Sequence, residues 1–172
     1  LGVEMPPEEV PIIQKRLIQN SRDRGKPIVV ATQMLDSMIN SPSPTRAEAS
    51  DVASAVFDSA DALMLSAETA AGKFPNEAVE IMDRIIRGVE NDISYRQMIN
   101  SKKIKLEETT SDAISSAASQ VVNTVSAKAI FTYTRSGKTA IRAARERPSV
   151  PIIGLSPERL TSRQLALSLI HI

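Results

Sequence analysis

Two short apolar runs joined by a helix-rich crossover constrain the fold of this chain more than any other feature. The runs cover 27–31 and 62–65, and each is followed by a hydroxyl residue, Thr32 in the first case and Ser66 in the second. Short apolar runs bounded by polar residues are typical of buried strands, and this spacing predicts a βαβ unit with parallel strands. Because function in such folds lies at the carboxyl ends of strands, Thr32 and Ser66 are the first candidate site residues.

Each polar residue near these strand ends has a functional and a purely structural interpretation. A hydroxyl there can donate to a phosphate or enolate oxygen or relay a proton through water, but the pattern alone favours a helix N-cap. Glu68 is either an electrostatic partner in the pocket or, as the pattern favours, a carboxylate in a first helical turn. Arg46 and Asp51 could pair across a subunit contact, although a solvated helix face is the default interpretation.

The remaining periodicities predict further helices and strands on both sides of this unit. Residues 93–108 show no clear period and carry a lysine cluster, which predicts an interdomain linker, with a solvated helix extension as the alternative. Thr45 and Glu48 have the spacing of a capping box at the start of the crossover helix. The predicted helices are 6–25, 33–39, 45–59, 75–92, 111–125, 136–146 and a last one after Ser156, and the predicted strands of the second half are 129–133 and 152–155.

A third candidate site is the sequence TRSGKT at 134–139, directly after a predicted strand. A turn containing Gly137 that opens a helix groups backbone N–H donors, and Lys138 adds a positive charge, which is a good geometry for a phosphate. The spacing is not that of a nucleotide P-loop. From these residues alone, phosphate binding and plain helix capping are equally supported.

Charge and composition exclude several classes of protein. The net charge of +1 gives no reason to expect nucleic acid or a membrane surface as a partner, and no apolar run is long enough to cross a bilayer. The absence of cysteine excludes disulfides and thiolate metal sites, so we expect a cytoplasmic protein. His171 is the single histidine and has no partner in the sequence pattern, which leaves a Ser–His–Asp triad or a zinc site unsupported.

Three stretches of the chain resemble the pyruvate kinase family. KPIVVATQMLDSM with PTRAEASDVASAVFDSADALMLSAETAAGKFP resembles the central signature of that family, and LGVEMPPEEVPIIQK resembles the segment that follows its RGD motif. TRSGKTA with RPSVPIIGLSP resembles its C-terminal domain. Because the chain opens at Leu1 inside such a segment, we expect a fragment of a longer protein. The SLIHI ending does not resemble the family.

The resemblance implies an α/β fold in two parts. Residues 1–92 would form the C-terminal portion of a (β/α)8 TIM barrel, 93–108 a linker, and 109–172 an incomplete three-layer α/β/α regulatory domain with a mainly parallel sheet. The implied reaction is phosphoryl transfer from phosphoenolpyruvate to ADP with Mg2+ and K+, giving pyruvate and ATP in glycolysis. The metal ligands and a lysine would lie upstream of Leu1, so we expect the fragment to be inactive alone. The alternative is a non-catalytic phosphate-effector-binding or assembly module.

The resemblance also assigns roles to individual residues. Thr32 corresponds to an active-site threonine that contacts substrate and helps to deliver a proton, and Ser66 to a serine in the water network of that site. Gln33, Arg46 and Glu68 are assigned interface or site-bracing roles, in a homotetramer when the protein is whole. The residues expected to grip a phosphate of a sugar phosphate or nucleotide effector are Thr134, Ser136, Gly137, Lys138 and Thr139.

Overall fold

The computed structural model describes residues 4–31, 33–101 and 108–168, which form two compact units. The described part of the first unit consists of residues 4–21 and 28–101 apart from 32, and that of the second consists of residues 22–27 and 108–168. Within these ranges, no helix combines the length and the apolar character needed to cross a membrane.

The first unit contains a two-stranded parallel sheet surrounded by helices. Its strands pair in register, with Val29 opposite Ala62 and Ala31 opposite Met64, which confirms the predicted parallel pair. The elements in chain order are α1 (Val10–Asp23, of which the part up to Ser21 belongs to this unit), β1 (Val29–Ala31), a 3-10 helix (Asp36–Ile39), α2 (Arg46–Phe57), β2 (Ala62–Met64), α3 (Ala67–Ala70), α4 (Pro75–Glu90) and α5 (Ile93–Ser101).

The core of the first unit lies beneath this sheet, between the strands and the helices that follow them. The side chains of Leu35 and Met38, which follow β1, are fully buried there. They share the core with Ile18 of α1, Val52 of α2 and Met82 of α4. The predicted helix over 33–39 is wrong in its first half, since regular structure begins only at Asp36 and Gln33 has a left-handed φ of 54°. The turn therefore carries three core side chains, those of Met34, Leu35 and Met38, without forming a full α-helix.

Part of the predicted linker is helical and packed. The side chains of Tyr95 and Ile99 on α5 are buried in a cluster with Val56 and Val89. The rings of Phe57 and Tyr95 meet edge to face with their centroids 5.9 Å apart. Residues 93–101 thus belong to the first unit, whereas 102–107 lie outside the described residues. The domain limits proposed from the sequence stay a prediction.

The second unit is a smaller parallel sheet with helices packed against it. Its elements are α6 (Thr110–Val125), β3 (Ile130–Tyr133), α7 (Lys138–Arg145), β4 (Ile152–Leu155) and α8 (Arg159–Ser168). Ile130 pairs with Ile152 and Tyr133 with Leu155, so this predicted pair of strands is also confirmed as parallel. The α/β class predicted for the chain therefore holds in both units.

Only one face of the second sheet is covered by the helices that the structure describes. Ile152 packs there with Ala140 and Ala143 of α7 and Leu165 of α8. On the opposite face, the side chains of Phe131 and Tyr133 are 66% and 71% exposed. In this part of the chain, the predicted incomplete three-layer α/β/α domain therefore has two layers, the sheet and the helices on one of its faces.

Helix α6 buries little of the apolar stripe that its helical spacing predicts, which consists of Ile114, Ala117, Ala118, Val121, Val122 and Val125. Ile114, Val121 and Val125 are exposed, whereas Asp112 and Ser115 are buried together with Val122. The predicted core face of this helix is therefore wrong except at Val122. The physical reason is that α6 faces α7 with a buried carboxylate, to which two arginines of α7 are bonded.

Candidate functional site

The end of β1 leads directly into a strained turn. Thr32, the predicted substrate contact, lies outside the described residues, so its role stays a prediction. The next residue, Gln33, is exposed and has a φ of 54°, a conformation that few residues other than glycine adopt without cost. Such backbone strain persists where the surrounding structure over-determines the conformation, and it clusters at functional sites.

Ser66 stands two residues beyond the end of β2 and begins the short helix α3. It occupies the N-cap position, but its side chain makes no capping hydrogen bond. Its backbone N–H instead donates to Oε2 of Glu68 at 2.7 Å. The half-buried Ser66 hydroxyl is therefore not used to cap the helix that it precedes.

The carboxylate of Glu68 joins the segments that follow the two strands. Oε2 accepts from Ser66, after β2, and Oε1 accepts from the backbone N–H of Leu35, after β1, at 3.1 Å. The Glu68 residue is only 2% exposed. Burial raises the pKa of this carboxyl, but hydrogen bonds from the backbone N–H groups of Glu68 itself, Ser66 and Leu35 outweigh it, so its pKa lies below the usual value. Glu68 is thus a buried anion that bridges two strand ends.

A close backbone contact at Gly72, which no sequence pattern indicates, completes this bridge. A Cβ atom at Gly72 would lie 2.4 Å from the carbonyl oxygen of Glu68 and 3.2 Å from Cα of Ile39. Immediately afterwards, the Lys73 N–H donates to the Ile39 carbonyl at 2.8 Å. The segment after α3 therefore lies directly against the end of the 3-10 helix, at a distance that only glycine permits.

The capping box predicted at the start of α2 is present. The Glu48 N–H donates to Thr45 Oγ1, and the Thr45 N–H donates back to Glu48 Oε2. Glu48 also accepts two bonds from Ser37, which nothing in the sequence signalled because the contact is tertiary. Arg46, the first residue of α2, is exposed, as is Asp51.

The predicted phosphate loop connects β3 to α7 in the second unit. Gly137 is the N-cap of α7 and has a φ of 80°, which favours glycine. A Cβ there would also lie 3.2 Å from Leu165 Cδ2. The Gly137 N–H donates to Oγ1 of the buried Thr134 at 3.0 Å, so this N–H is directed into the loop rather than outwards. Thr134 therefore shapes the loop.

The other predicted residues of this loop are accessible. Ser136, which precedes the N-cap, is exposed, and so are Lys138 and Thr139 in the first turn of α7. A helix N-terminus with an ammonium group and two hydroxyls beside it is an arrangement that attracts an anion. The loop is held from behind by Thr161, whose Oγ1 donates to the Arg135 carbonyl at 2.8 Å.

Metal ligands are not grouped in the described ranges. Among those residues, no set of three or more His, Asp or Glu side chains is placed to hold a metal ion.

Both halves of the chain match models of known protein domains. The pyruvate kinase barrel domain matches residues 1–79, and the pyruvate kinase alpha/beta domain matches residues 112–169. The order of these two α/β domains agrees with the order of the two units. The chain belongs to the pyruvate kinase family.

Curated relatives and a solved structure agree with this assignment. A pyruvate kinase of Methylorubrum extorquens is 53% identical over 168 residues, which cover 98% of this chain and 35% of the relative. One of Agrobacterium vitis is 52% identical over 97% of this chain and 35% of its own length. A crystal structure of a pyruvate kinase from Cryptosporidium parvum matches with a TM-score of 0.90 at 40% identity, over 98% of this chain and 34% of its own. The chain thus spans about a third of the length of these relatives.

Proposed function

We propose that this chain acts within a longer pyruvate kinase polypeptide, which transfers a phosphoryl group from phosphoenolpyruvate to ADP in glycolysis. The observation that supports this best is the Glu68 carboxylate, which holds the segments following both strands of a parallel pair within the match to the barrel domain. Active sites of such α/β folds lie at the carboxyl ends of the strands.

The proposed chemistry has two steps. The bond between phosphorus and the enol oxygen of phosphoenolpyruvate breaks while a β-phosphate oxygen of ADP bonds to phosphorus, and the enolate left behind then accepts a proton at its methylene carbon. Thr32 would contact the substrate and help to deliver that proton. The hydroxyl of Ser66, which makes no capping hydrogen bond, would take part in a network of water molecules at the same site. Ligands for Mg2+ and K+ would come from other parts of the polypeptide.

The two units would have separate tasks in the whole enzyme. Residues 1–92 would complete a (β/α)8 barrel, with β1 and β2 as its last two strands, and 109–172 would belong to the regulatory domain. The exposed Ser136, Lys138 and Thr139 support binding of a phosphate of a sugar phosphate or nucleotide effector. Gln33 and Arg46, both exposed, would brace the site or contact another subunit of a homotetramer in the cytoplasm.

The test of this proposal is a coupled assay of pyruvate formation. A full-length polypeptide that contains this chain should turn over phosphoenolpyruvate and ADP, whereas the 172-residue chain alone should show no turnover above background. Thr32→Val should lower kcat by about 100-fold with little change in KM, as expected for a lost proton-transfer group. Thr124→Val, at an exposed helical site in the second unit, is the matched control. An inactive full-length protein or an unchanged kcat in Thr32→Val would contradict the proposal.

A further inference from the structure

Glu48 is bonded to more than the helix that it caps. Its Oε1 accepts from the Ser37 N–H at 2.7 Å, and its Oε2 accepts from the Ser37 hydroxyl at 2.6 Å. Oε2 also accepts from the N–H and the hydroxyl of Thr45, at 2.7 and 2.8 Å. A capping box requires only the bonds with the N-cap residue. The two bonds from Ser37 therefore have another consequence, which is to join the start of α2 to the turn that follows β1.

That turn, residues 33–40, is held at three backbone positions. The Leu35 N–H is bonded to Glu68, the Ser37 N–H to Glu48, and the Ile39 carbonyl to the Lys73 N–H. It begins with the strained φ of Gln33, which persists only if later contacts compensate for it. Glu48 supplies the central one of these contacts, and it is the only one of the three that comes from α2.

The charge of Glu48 makes these bonds strong. Burial raises the pKa of its carboxyl, but the hydrogen bonds from Ser37 and Thr45 outweigh it and lower the pKa from 4.5 to about 2. Glu48 is therefore an anion at neutral pH, and hydrogen bonds to an ionised acceptor are shorter and stronger than neutral ones. A glutamine in its place would direct its amide N–H at one of the groups that now donate a hydrogen bond to the carboxylate.

We propose that Glu48 is a positioning residue for phosphoryl transfer, which acts through Ser37 to fix the turn after β1 in its productive conformation. This inference rests on the proposed function, because the turn follows directly in sequence from Thr32. Displacements of about 1 Å at reacting groups can lower a rate by 100-fold, so a residue that does not touch the substrate can still control kcat.

The experiment compares three variants of the full-length polypeptide by steady-state kinetics and by hydrogen exchange of the turn. Ser37→Ala removes a bond from the turn and leaves the capping box intact, whereas Thr45→Ala weakens the capping box and leaves both Ser37 bonds in place. Glu48→Gln should lower kcat by about tenfold or more with KM nearly unchanged. Ser37→Ala should lower kcat more than Thr45→Ala does, although Thr45→Ala should lower the melting temperature more.

Hydrogen exchange separates this inference from the proposed function. Amides of residues 33–40 should exchange faster in Glu48→Gln and in Ser37→Ala, whereas Thr45→Ala should speed exchange only in the first turn of α2. If Thr45→Ala lowers kcat as much as Ser37→Ala, or if exchange in 33–40 is unchanged in both Ser37→Ala and Glu48→Gln, the positioning role is wrong. A wild-type enzyme that makes no pyruvate overturns the proposed function, and exchange that is unchanged overturns the role of Glu48.

Discussion

Asp112 and Arg145 form an ion pair that is shielded from water, with Nη2 of Arg145 2.8 Å from Oδ2 of Asp112. The side chain of Asp112 is fully buried and that of Arg145 is 5% exposed. Arg142 adds a second cation, with its Nε 3.0 Å from Oδ1 of the same carboxylate. The pair joins α6 to α7, the helix that begins at the predicted phosphate loop.

Removing this carboxylate should strongly destabilise the second unit. Asp112→Ala leaves the buried Arg145 with only the more distant Glu146 carboxylate, 3.5 Å away, and breaking a buried pair costs about 3–5 kcal/mol. Denaturant unfolding would measure the loss, with hydrogen exchange of residues 108–168 reporting on the second unit. Asp83→Ala is the control, since it removes an i, i+4 pair with Arg87 at a similar distance of 2.7 Å but at the surface, where little effect is expected. Equal effects of the two substitutions would contradict a special role for the buried pair.

The sequence predicts the elements of both units better than it predicts their contacts. The parallel strands and the capping box of α2 follow from local periodicity and spacing, and the structure has both. The buried face of α6 was predicted incorrectly because a periodic pattern counts Asp112 as a surface residue. The arginines of α7, which are distant in sequence, make its burial favourable.

In the candidate site, too, the sequence predicts the positions of residues but not the contacts between them. Two strand-end hydroxyls could be located from the sequence, but the bond between Glu68 and Leu35 joins residues 33 positions apart, and no local signal indicates it. The contact at Gly72 is also invisible to periodicity, since a single glycine after a short helix looks like an ordinary C-cap. A glycine is informative here only once the carbonyl that faces it is known.

Gly72→Ala should damage the proposed active site. Its Cβ would lie 2.4 Å from the Glu68 carbonyl oxygen, so α3 or the 3-10 helix must move, at a cost of about 1–3 kcal/mol for overpacking. Both the melting temperature and kcat should fall. Gly88→Ala offers a matched control with the opposite sign, because nothing lies within 4 Å of the added Cβ, and alanine within a helix is more stable by roughly 0.5–1 kcal/mol. An unchanged kcat in the Gly72→Ala enzyme would show that the close contact at Gly72 is not needed for catalysis.

The pKa of Glu48 predicts a loss of stability in acid. A carboxyl whose pKa is lowered by folding stabilises the protein above its unfolded pKa, and this contribution disappears as pH falls through the folded pKa. For Glu48 that interval runs from about pH 4.5 down to about 2. The difference in unfolding free energy between wild type and Glu48→Gln should therefore be constant near pH 7 and should shrink below about pH 4.5. A difference that does not depend on pH would indicate that the charge of Glu48 is unimportant.

Lys138 should matter for effector binding more than other surface lysines do. It is exposed at the N-terminus of α7 beside Ser136 and Thr139, so Lys138→Ala removes a cation from the proposed phosphate site. Affinity should fall about tenfold, as expected for the loss of a charged hydrogen bond of about 1.5 kcal/mol. Calorimetric titration of the full-length protein with inorganic phosphate, a hexose phosphate and a nucleoside monophosphate would measure it. Lys128→Ala, at an exposed lysine before β3, is the control, and equal losses would indicate nonspecific electrostatics.

Replacing Ser126 by glycine should stabilise the second unit. Ser126 ends α6 in a left-handed conformation, with φ 53° and ψ 43°, and its N–H donates to the Val122 carbonyl. Left-handed backbone costs a non-glycine residue about 1–2 kcal/mol, whereas the extra freedom of an unfolded glycine costs roughly 0.5–1 kcal/mol, so the net gain should be about 0.5–1 kcal/mol. Ser116→Gly places the same substitution in the interior of the same helix, where only the entropic cost applies, and it should destabilise the protein. Opposite shifts of the unfolding midpoint in the two variants are expected, and a destabilised Ser126→Gly protein would contradict the left-handed assignment.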